Sequence, residues 1–201
     1  MKIINKNIII SALLLMSCQV SAAEYNQVQL KLSTVTFGYR QMGVPMEGKF
    51  GRFAAQVSFD PAKLASAQAR IDVTLASVDS GSADADESVQ GKLWFDTKNY
   101  PLASFVSTGV KSLGGNRYQA TGKLTIKGKT LDVAAPVTFA ANGNRASFDG
   151  SFNIKRLSYN VGIGEWTDLD TVADDIQIKF HLVVLASPAL PLSNQPQRKQ
   201  P

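Results

Sequence analysis

Histidine and cysteine, the side chains that most often bind transition metals or act as catalytic bases and nucleophiles, each occur once in this chain. The single histidine, His181, shares the polar side of its predicted strand with Gln177 and Lys179, so we expect it to face solvent. The single cysteine, Cys18, precedes the predicted domain. A metal site needs several such ligands, and a Ser-His-Asp triad would depend on His181 although the sequence contains no nucleophile elbow. The sequence therefore predicts a non-catalytic protein without a metal or another cofactor.

Acidic residues form two clusters, which are the remaining candidates for chemistry. The clusters consist of Asp79, Asp84, Asp86 and Glu87, followed by Asp168, Asp170, Asp174 and Asp175. Their spacing does not match the calcium-binding loop of an EF-hand, in which oxygen ligands alternate around a turn glycine. We interpret both clusters as solvated loops and helix caps, and weak calcium binding is the alternative.

The positive charge of the chain gives no indication of a nucleic-acid-binding surface. The formal net charge is +5, and it includes Lys2 and Lys6 at the amino terminus. The other basic residues are spread along the sequence without forming a block, whereas nucleic-acid-binding domains concentrate them on one face. We therefore predict no nucleic-acid partner.

The amino terminus resembles a cleavable secretion signal over residues 1–23. Lys2 and Lys6 precede an apolar run over residues 8–16, and small residues follow at Ser21, Ala22 and Ala23. The run is too short to cross a hydrocarbon layer of about 30 Å, so it is typical of a signal peptide rather than of a membrane helix. The sequence predicts a domain that is exported from the cytoplasm.

An alternative form of export involves the cysteine. The stretch Leu15-Met16-Ser17-Cys18 is similar to a bacterial lipobox, in which Cys18 would be lipidated and become the mature amino terminus. Met16 is unusual in that pattern, so we favour ordinary cleavage after Ala22 or Ala23. Both interpretations place the mature domain outside the cytoplasm.

Alternation of apolar and polar residues dominates the sequence from Tyr25 onward. Ala55, Val57 and Phe59, for example, alternate with Gln56 and Ser58, which is the period of a strand with one buried face. About eight or nine such strands follow one another, and the clearest turns between them lie at residues 113–116, 127–129 and 142–144. Short turns make neighbouring strands antiparallel. The predicted fold is all-β, either a closed barrel or a sandwich.

Two short segments interrupt the alternation, and the sequence ends in a segment of different composition. Residues 60–64 predict a turn or one helical turn with Asp60 as its N-cap, and residues 82–90 predict a short acidic helix. Residues 187–201 contain four prolines without apolar periodicity, and we expect them to form a disordered tail. The predicted domain therefore covers residues 24–186.

Large aromatic residues lie almost entirely on the apolar sides of the predicted strands. We take them as the candidate ligand-binding residues: Phe37, Phe50, Phe53, Phe59, Phe95, Phe105, Tyr118, Phe139, Phe148, Phe152 and Phe180. They fit a filled core or the lining of a cavity, because a barrel of about eight strands is just wide enough to fill itself or to enclose one ligand. Periodicity alone leaves both possibilities open.

A series of short motifs resembles the YceI-like family of polyisoprenoid-binding proteins. The motifs are Gly48-Lys49-Phe50-Gly51-Arg52-Phe53, Phe59-Asp60-Pro61, Ser77-Val78-Asp79-Ser80-Gly81, Trp94-Phe95-Asp96, Tyr100-Pro101, Phe105-Val106-Ser107, Gly122-Lys123-Leu124-Thr125-Ile126-Lys127-Gly128, Ile154-Lys155-Arg156, Gly162 and Val172-Ala173-Asp174-Asp175-Ile176. Each motif is weak by itself, but the order and spacing hold over about residues 25–186. The resemblance is therefore specific.

The resemblance implies a lipocalin-like antiparallel barrel of about eight strands in the bacterial periplasm. It implies an apolar channel that binds, transports or stores a long isoprenoid, such as a polyprenyl chain or a quinone tail. Arg40, Arg52, Lys155 and Arg156 are candidates for head-group contacts by residue type alone.

One departure from the family pattern concerns polar residues, and one group of features points to a particular branch. Many members carry an Arg-Asp-x-His stretch where this chain has Ala85, Asp86 and Ser88, so only the aspartate is retained. The Trp94-Phe95-Asp96 and Gly164-Glu165-Trp166 features look like the branch associated with cytochrome b561-type membrane proteins. An accessory module for such a cytochrome, with incidental lipid binding, is the alternative function.

Overall fold

Alternating apolar and polar residues form eleven strands in the computed structural model, which describes residues 23–187. The strands are β1 (Tyr25–Val28), β2 (Thr34–Gln41), β3 (Val44–Phe50), β4 (Phe53–Ser58), β5 (Gln68–Thr74), β6 (Val78–Asp79), β7 (Leu102–Gly114), β8 (Arg117–Ile126), β9 (Lys129–Asn142), β10 (Arg145–Lys155) and β11 (Asp175–Ala186). One α-helix, α1 (Ala83–Gln90), lies between β6 and β7. All but the last residue of the predicted signal, including Cys18, and all but the first residue of the predicted tail lie outside the described residues.

The eleven segments act as eight barrel strands. All neighbouring pairs are antiparallel, and they run β4–β5–β7–β8–β9–β10–β11–β2–β3. The last strand of this series, β3, leads directly into the first, β4. The sheet therefore closes on itself. Likewise, β1 and β2 lie end to end along β11, and β6 continues β5 to pair with β3. The prediction of an antiparallel barrel of about eight strands is confirmed.

Backbone hydrogen bonds maintain the ladder where two of the barrel strands bend. Between β3 and β4, the Gly51 N–H donates to the Ser77 carbonyl over 2.8 Å. The Thr74 N–H donates to the Arg52 carbonyl over 3.0 Å. Tyr25 and Phe59 exchange two further backbone hydrogen bonds, of 2.9 and 3.1 Å, which tie β1 to the end of β4. The backbone groups that the bends expose are therefore paired, as a buried wall requires.

The predicted turns and helical segments occupy the expected positions. Gly115, Gly128 and Gly143 adopt positive φ angles of 59°, 73° and 61° in the turns that join β7 to β10. Helix α1 begins after Ser82, whose hydroxyl accepts a hydrogen bond from the Ala85 N–H over 3.4 Å. The Asp60 carboxylate accepts from the Ala62 N–H over 2.9 Å in the predicted turn, which leads into a short 3₁₀ helix. The predicted turn at residues 60–64 and the predicted helix are confirmed, whereas Asp60 caps the turn and Lys63 is the N-cap of the 3₁₀ helix Leu64–Ser66.

Aromatic rings close one end of the barrel, which we call the lower end. Phe59 lies at the centre of this aromatic plug, with its ring centroid 5.2 Å from that of Tyr118, 5.0 Å from Phe139 and 5.1 Å from Phe148. Tyr25 packs edge-on against Phe139 with the centroids 5.4 Å apart. Offset and edge-on contacts of this kind favour a fixed arrangement of rings. The upper end carries α1 and the long β10–β11 connection instead.

Glycines allow three of the predicted phenylalanines to lie flat against the barrel wall. A Cβ atom at Gly48 would lie 2.4 Å from Phe37 Cζ, one at Gly122 would lie 2.5 Å from Phe105 Cε2, and one at Gly150 would lie 2.4 Å from Phe180 Cζ. Each ring therefore covers a neighbouring strand at a position where no side chain projects. In curved sheets, an aromatic ring often covers a glycine on the neighbouring strand in this way. The rings add apolar wall without filling the centre of the barrel.

Replacing Gly122 with alanine is expected to destabilise the barrel by about 1–3 kcal/mol, because the new methyl group overlaps both Phe105 and the Val106 carbonyl. Gly109→Ala is the matched control, since its methyl group would meet only Thr121 Oγ1, at 3.5 Å. Urea denaturation of both variants measures the difference. Equal stability of the two variants would show that the Phe105 ring does not depend on the glycine.

Candidate functional site

Two apolar cavities lie one above the other inside the barrel. The upper cavity has a volume of about 330 Å³ and the lower cavity a volume of about 140 Å³. Side chains that line both cavities form the partition between them: Val35, Val73, Ala103, Leu124, Phe152 and Ile178. The two cavities therefore meet at these residues, and rotamer changes of the longer ones, Leu124, Phe152 and Ile178, would join them into one channel.

Polar atoms contribute to the surface of the upper cavity but not to that of the lower cavity, although Ser58, Gln68 and Tyr118 are among the residues around the lower one. The upper cavity is lined by these residues with polar side-chain atoms: Tyr39, Gln41, Ser80, Asp84, Ser88, Trp94, Arg156, Tyr159 and Trp166. The lower cavity is enclosed by apolar side-chain surface and ends at the aromatic plug. A ligand that fits both cavities is therefore apolar along most of its length and polar at the upper end.

Two segments without regular strands form the roof of the upper cavity. The first roof segment, residues 91–101, follows α1, and the second roof segment, residues 156–174, joins β10 to β11. The Leu93 carbonyl accepts hydrogen bonds of 2.9 Å from the N–H groups of both Gly162 and Ile163. Lys127 Nζ, in the β8–β9 turn, donates to the carbonyls of Lys92 and Asn160 over 2.9 and 2.8 Å. The roof segments are thereby fastened to each other and to the barrel.

Arg156 holds the second roof segment from inside. Its side chain is 2% exposed, and Nε donates to the Ala173 carbonyl over 3.1 Å. Nη1 donates to the carbonyls of Val161 and Gly162 over 3.1 and 2.7 Å. Nη2 donates to the carbonyls of Trp166 and Val172 over 2.6 and 2.7 Å. All five N–H groups of the guanidinium are therefore used to shape the loop.

Asp174 and Trp94 stabilise the buried charge of Arg156, which acts as a structural clamp on the second roof segment. Burial lowers the pKa of the guanidinium, and the charge of Asp174 opposes that shift. The Asp174 carboxylate itself accepts from the Leu157 N–H over 2.9 Å. On its other side the Arg156 guanidinium lies 5.4 Å from the centre of the Trp94 ring, a cation–π contact that compensates part of the lost hydration.

The four basic head-group candidates are not equivalent. Arg156 lines the upper cavity, but its donors are all engaged by carbonyl groups. Arg40, Arg52 and Lys155 are exposed and line neither cavity; Arg40 bonds to the Gly43 carbonyl and Lys155 to Asp175. The interpretation of these residues from their type alone is therefore not supported for any of the four.

Nine of the eleven candidate ligand-binding residues line a cavity. Phe37, Phe50 and Phe95 line the upper cavity, and Phe152 lines both. The lower cavity is lined by Phe59, Phe105, Tyr118, Phe148 and Phe180. Phe53 and Phe139 line neither and pack into the core around the aromatic plug. Contact of these residues with a ligand stays a prediction.

Sequence reasoning missed the aromatic residues of the roof as part of the site. Trp94 and Trp166 stand 5.4 Å apart between their ring centroids, and both line the upper cavity with Tyr159. They lie in segments without alternation, so periodicity could not assign them to an inner face. The signal that could have found them is their place in the motifs around residues 94–96 and 164–166.

The single histidine lies outside both cavities and contacts a carboxylate at the surface. His181 lies on the outside of β11, with its Nδ1 2.5 Å from Asp149 Oδ1 and 42% of its side chain exposed. The prediction that it faces solvent is confirmed.

Within residues 23–187, no three or more histidine, cysteine, aspartate or glutamate side chains converge as a metal site would require. No helix in the same range is long and apolar enough to cross a bilayer.

Comparison with protein families agrees with the motifs and the barrel. The sequence profile of the YceI-like domain matches residues 27–184, which include all of β2 to β10 and most of β11. The chain belongs to the YceI-like family. A UPF0312 protein of Shewanella denitrificans is 29% identical over 186 residues, covering 84% of this chain and 95% of that protein. One from Azotobacter vinelandii is 32% identical over 120 residues, which cover 57% of this chain and 62% of the relative.

Several solved structures are similar to the barrel of this chain. The crystal structure of Burkholderia cenocepacia BcnA has a TM-score of 0.76 and 52% identity, with 78% of this chain and 99% of that chain covered. The Campylobacter jejuni YCEI protein has a TM-score of 0.63 at 23% identity, over 71% of this chain and 85% of that chain. A polyisoprenoid binding domain from Saccharophagus degradans has a TM-score of 0.58 at 15% identity, over 83% and 100% of the two chains. The last two comparisons show the fold alone.

Proposed function

We propose that this YceI-like protein binds, transports or stores an apolar isoprenoid-type lipid, a polyprenyl chain or a quinone tail, without catalysing a reaction. The observation that carries the proposal is the pair of apolar cavities inside the barrel, which share six lining residues. The upper cavity has the volume of a small-molecule site, which is about 300–1,000 Å³. The name of the Saccharophagus degradans domain, which shares the fold, supports an isoprenoid as the ligand class.

Apolar contact is sufficient for binding of such a chain. Transfer of each CH₂ group from water contributes about 0.8 kcal/mol, so about 20 carbons contribute about 15 kcal/mol before any cost is subtracted. Association costs about 4–15 kcal/mol. A dissociation constant in the micromolar range requires about 8 kcal/mol of net binding free energy, which lies within the range that remains.

The tryptophans provide a direct test of this proposal. Trp94 and Trp166 are the only tryptophans of the chain, and both line the upper cavity. Titration with geranylgeraniol, a 20-carbon isoprenoid alcohol, is expected to change the tryptophan fluorescence saturably with one ligand per chain. Isothermal titration calorimetry gives the independent stoichiometry. Absence of both a saturable fluorescence change and a binding heat would refute the proposal.

We further propose that the protein acts in the periplasm after removal of residues 1–23. The charged, apolar and small-residue regions of the amino terminus support this location. The intact mass of protein recovered from a periplasmic extract distinguishes cleavage after Ala22 or Ala23 from lipidation of Cys18. Recovery of only the uncleaved chain in the cytoplasm would contradict export. A role as an accessory module for a membrane cytochrome, which the features around Trp94 and Trp166 suggested, stays a prediction.

A further inference from the structure

The most exposed large apolar side chains of residues 23–187 lie together at the upper end of the barrel. Met42 is 77% exposed, Val44 57% and Leu169 51%. Met42 and Val44 belong to the hairpin that joins β2 to β3, and Leu169 belongs to the second roof segment. The Met42 N–H donates to the Thr171 carbonyl over 3.0 Å, which brings the two turns together. We call Met42, Val44 and Leu169 the rim patch.

Hydrogen bonds fix the backbone of both turns. Arg40 Nη1 donates to the Gly43 carbonyl over 3.0 Å in the hairpin. In the roof segment, the Asp168 carboxylate accepts from the Asp170 N–H over 3.1 Å and from the Thr171 hydroxyl over 2.6 Å. The turns therefore hold the rim patch in a position that faces solvent instead of the barrel core.

Met42 is an unfavourable residue for its place in the hairpin. The pair Gln41 and Val44 closes a two-residue turn in which Met42 has a φ of 50° and Gly43 a φ of 77°. Asparagine, aspartate and glycine are favoured at such left-handed positions, and a methionine gains nothing from this backbone geometry. Exposure of its apolar side chain to water is a second cost. A residue that is costly in both respects points to a contact outside the chain.

The rim patch borders the upper cavity. Gln41, which directly precedes Met42, lines that cavity and forms a β-bridge with Val172, which also lines it. Trp166, another lining residue, lies in the same roof segment as Leu169. Aromatic rings close the lower end of the barrel, which leaves the upper end as the route for a ligand. The rim patch therefore lies beside the route by which a lipid enters and leaves.

The size and the charge of this surface restrict the partner. A stable protein interface uses about 20–30 residues on each side, whereas the rim patch consists of three side chains on two turns. Within residues 40–44 and 167–171, Arg40 is the one basic residue, and Asp168 and Asp170 are acidic. The hydrogen bond from the Thr171 hydroxyl lowers the pKa of Asp168, so its carboxylate is charged at neutral pH. These turns therefore carry no excess of positive charge that would attract anionic head groups.

We propose that the rim patch docks the protein on a lipid bilayer by inserting Met42, Val44 and Leu169 among the acyl chains, without recognition of head-group charge. The choice of a bilayer rests on the proposed function, because an isoprenoid lipid dissolves in the bilayer and not in water. Interfacial binding of this kind increases with the apolar area that leaves water. The docked orientation places the upper cavity against the bilayer and the aromatic plug away from it.

Flotation of the mature chain with phosphatidylcholine vesicles tests the docking surface. The variant Met42→Asn, Val44→Thr and Leu169→Asn replaces the rim patch with polar residues of similar size, and asparagine suits the left-handed φ of Met42. We expect it to lower the vesicle partition coefficient at least about tenfold. Met42→Asn alone should lower it about threefold, and it retains the test if the triple variant does not fold.

The matched control replaces exposed apolar residues elsewhere on the barrel. Leu32→Asn, Val106→Thr and Leu113→Asn change side chains that are 49%, 40% and 45% exposed, on the side wall and at the lower end. This control should retain the partition coefficient of the unaltered chain. An equal loss in the control and in the rim-patch variant would overturn the proposal, because insertion would then not be confined to the rim patch.

A change of lipid composition tests the mode of binding. Vesicles of equal parts phosphatidylcholine and phosphatidylglycerol carry negative charge, and we expect them to bind the chain no more tightly than phosphatidylcholine alone. Binding that appears only with phosphatidylglycerol would show that head-group charge is recognised and would overturn the proposal. Absence of binding to both kinds of vesicle would overturn it as well and would leave a protein partner as the occupant of the rim patch.

Sedimentation velocity at the same protein concentration tests for a second copy of the chain as the occupant. We expect a monomer for both the unaltered chain and the rim-patch variant. A dimer of the unaltered chain that the variant does not form would show that the rim patch is covered by a second copy, and it would contradict docking on a bilayer.

Titration with geranylgeraniol in the absence of vesicles separates this inference from the proposed function. The rim patch lines neither cavity, so its variant should bind geranylgeraniol with the affinity of the unaltered chain. If the unaltered chain binds geranylgeraniol but not vesicles, the docking proposal is wrong and lipid binding stands. If it binds vesicles through the rim patch but does not bind geranylgeraniol, the proposed function fails and the docking surface stands.

Discussion

Replacement of Arg156 with alanine is expected to lower the free energy of unfolding by about 3–5 kcal/mol. The guanidinium is 2% exposed and bonds to five carbonyls of the second roof segment. Removal of the side chain leaves those carbonyls without their donors, and it leaves the Trp94 ring without its cation. Each buried group that loses its partner costs about 1–3 kcal/mol, although such losses are not additive.

Denaturant unfolding followed by far-UV circular dichroism measures this loss. Arg40→Ala is the matched control, because Arg40 is exposed and its side chain makes one hydrogen bond of 3.0 Å, to the Gly43 carbonyl. The control should change stability by no more than about 0.5 kcal/mol. Arg156→Lys retains the charge but has three donors instead of five, so we expect an intermediate loss and a folded protein if the alanine variant does not fold. Stability of Arg156→Ala within 1 kcal/mol of the unaltered chain would contradict the clamp.

Replacement of Ala103 with leucine is expected to weaken binding of a 20-carbon isoprenoid about thirtyfold. Ala103 is buried and lies in the partition between the cavities, where its register partner across the sheet is Val73. The three added carbons occupy the space of about three ligand carbons, which corresponds to about 2 kcal/mol of binding free energy. Binding of a 10-carbon isoprenoid such as geraniol should change little, because the upper cavity alone accommodates it.

The difference between the two chain lengths distinguishes a blocked channel from general damage to the site. Ala134→Leu adds the same three carbons on the exposed face of β9 and serves as the control. Both variants should retain the stability of the unaltered chain within about 1 kcal/mol, since the cavity has room for the larger side chain. Equal loss of affinity for the two ligands, or no loss for the longer one, would mean that the partition is not on the path of the chain.

The antiparallel strands could be predicted from the sequence because their determinants are local, whereas closure into a barrel was implied only by the resemblance to the YceI-like family. Alternation such as that of Ile176, Ile178 and Phe180 fixes which face of a strand is buried, and the turn glycines fix antiparallel neighbours. These two features together gave the number of barrel strands and nearly all of the aromatic lining. The short helix also followed from local features, because Ser82 and the acidic first turn of α1 are typical of a helix start.

Whether the barrel interior is filled or hollow could not be predicted, because it depends on contacts between residues of different strands. Phe180 lies flat only because Gly150 is its partner in the neighbouring strand, and their separation along the chain hides that pairing. The roles of Trp94 and Arg156 depend on two roof segments that meet in space and have no periodicity. Arg156 illustrates the limit most clearly: residue type suggested a contact to a lipid head group, whereas the structure assigns all its donors to the backbone.

Native mass spectrometry of protein purified without detergent from a bacterial host, followed by organic extraction of the bound material, tests the central claim most directly. We predict one isoprenoid-type lipid per chain, absent or strongly reduced in Ala103→Leu and retained in Ala134→Leu. A chain that carries no lipid and also fails to retain an added 20-carbon isoprenoid would contradict the claim that the barrel interior is a lipid-binding channel.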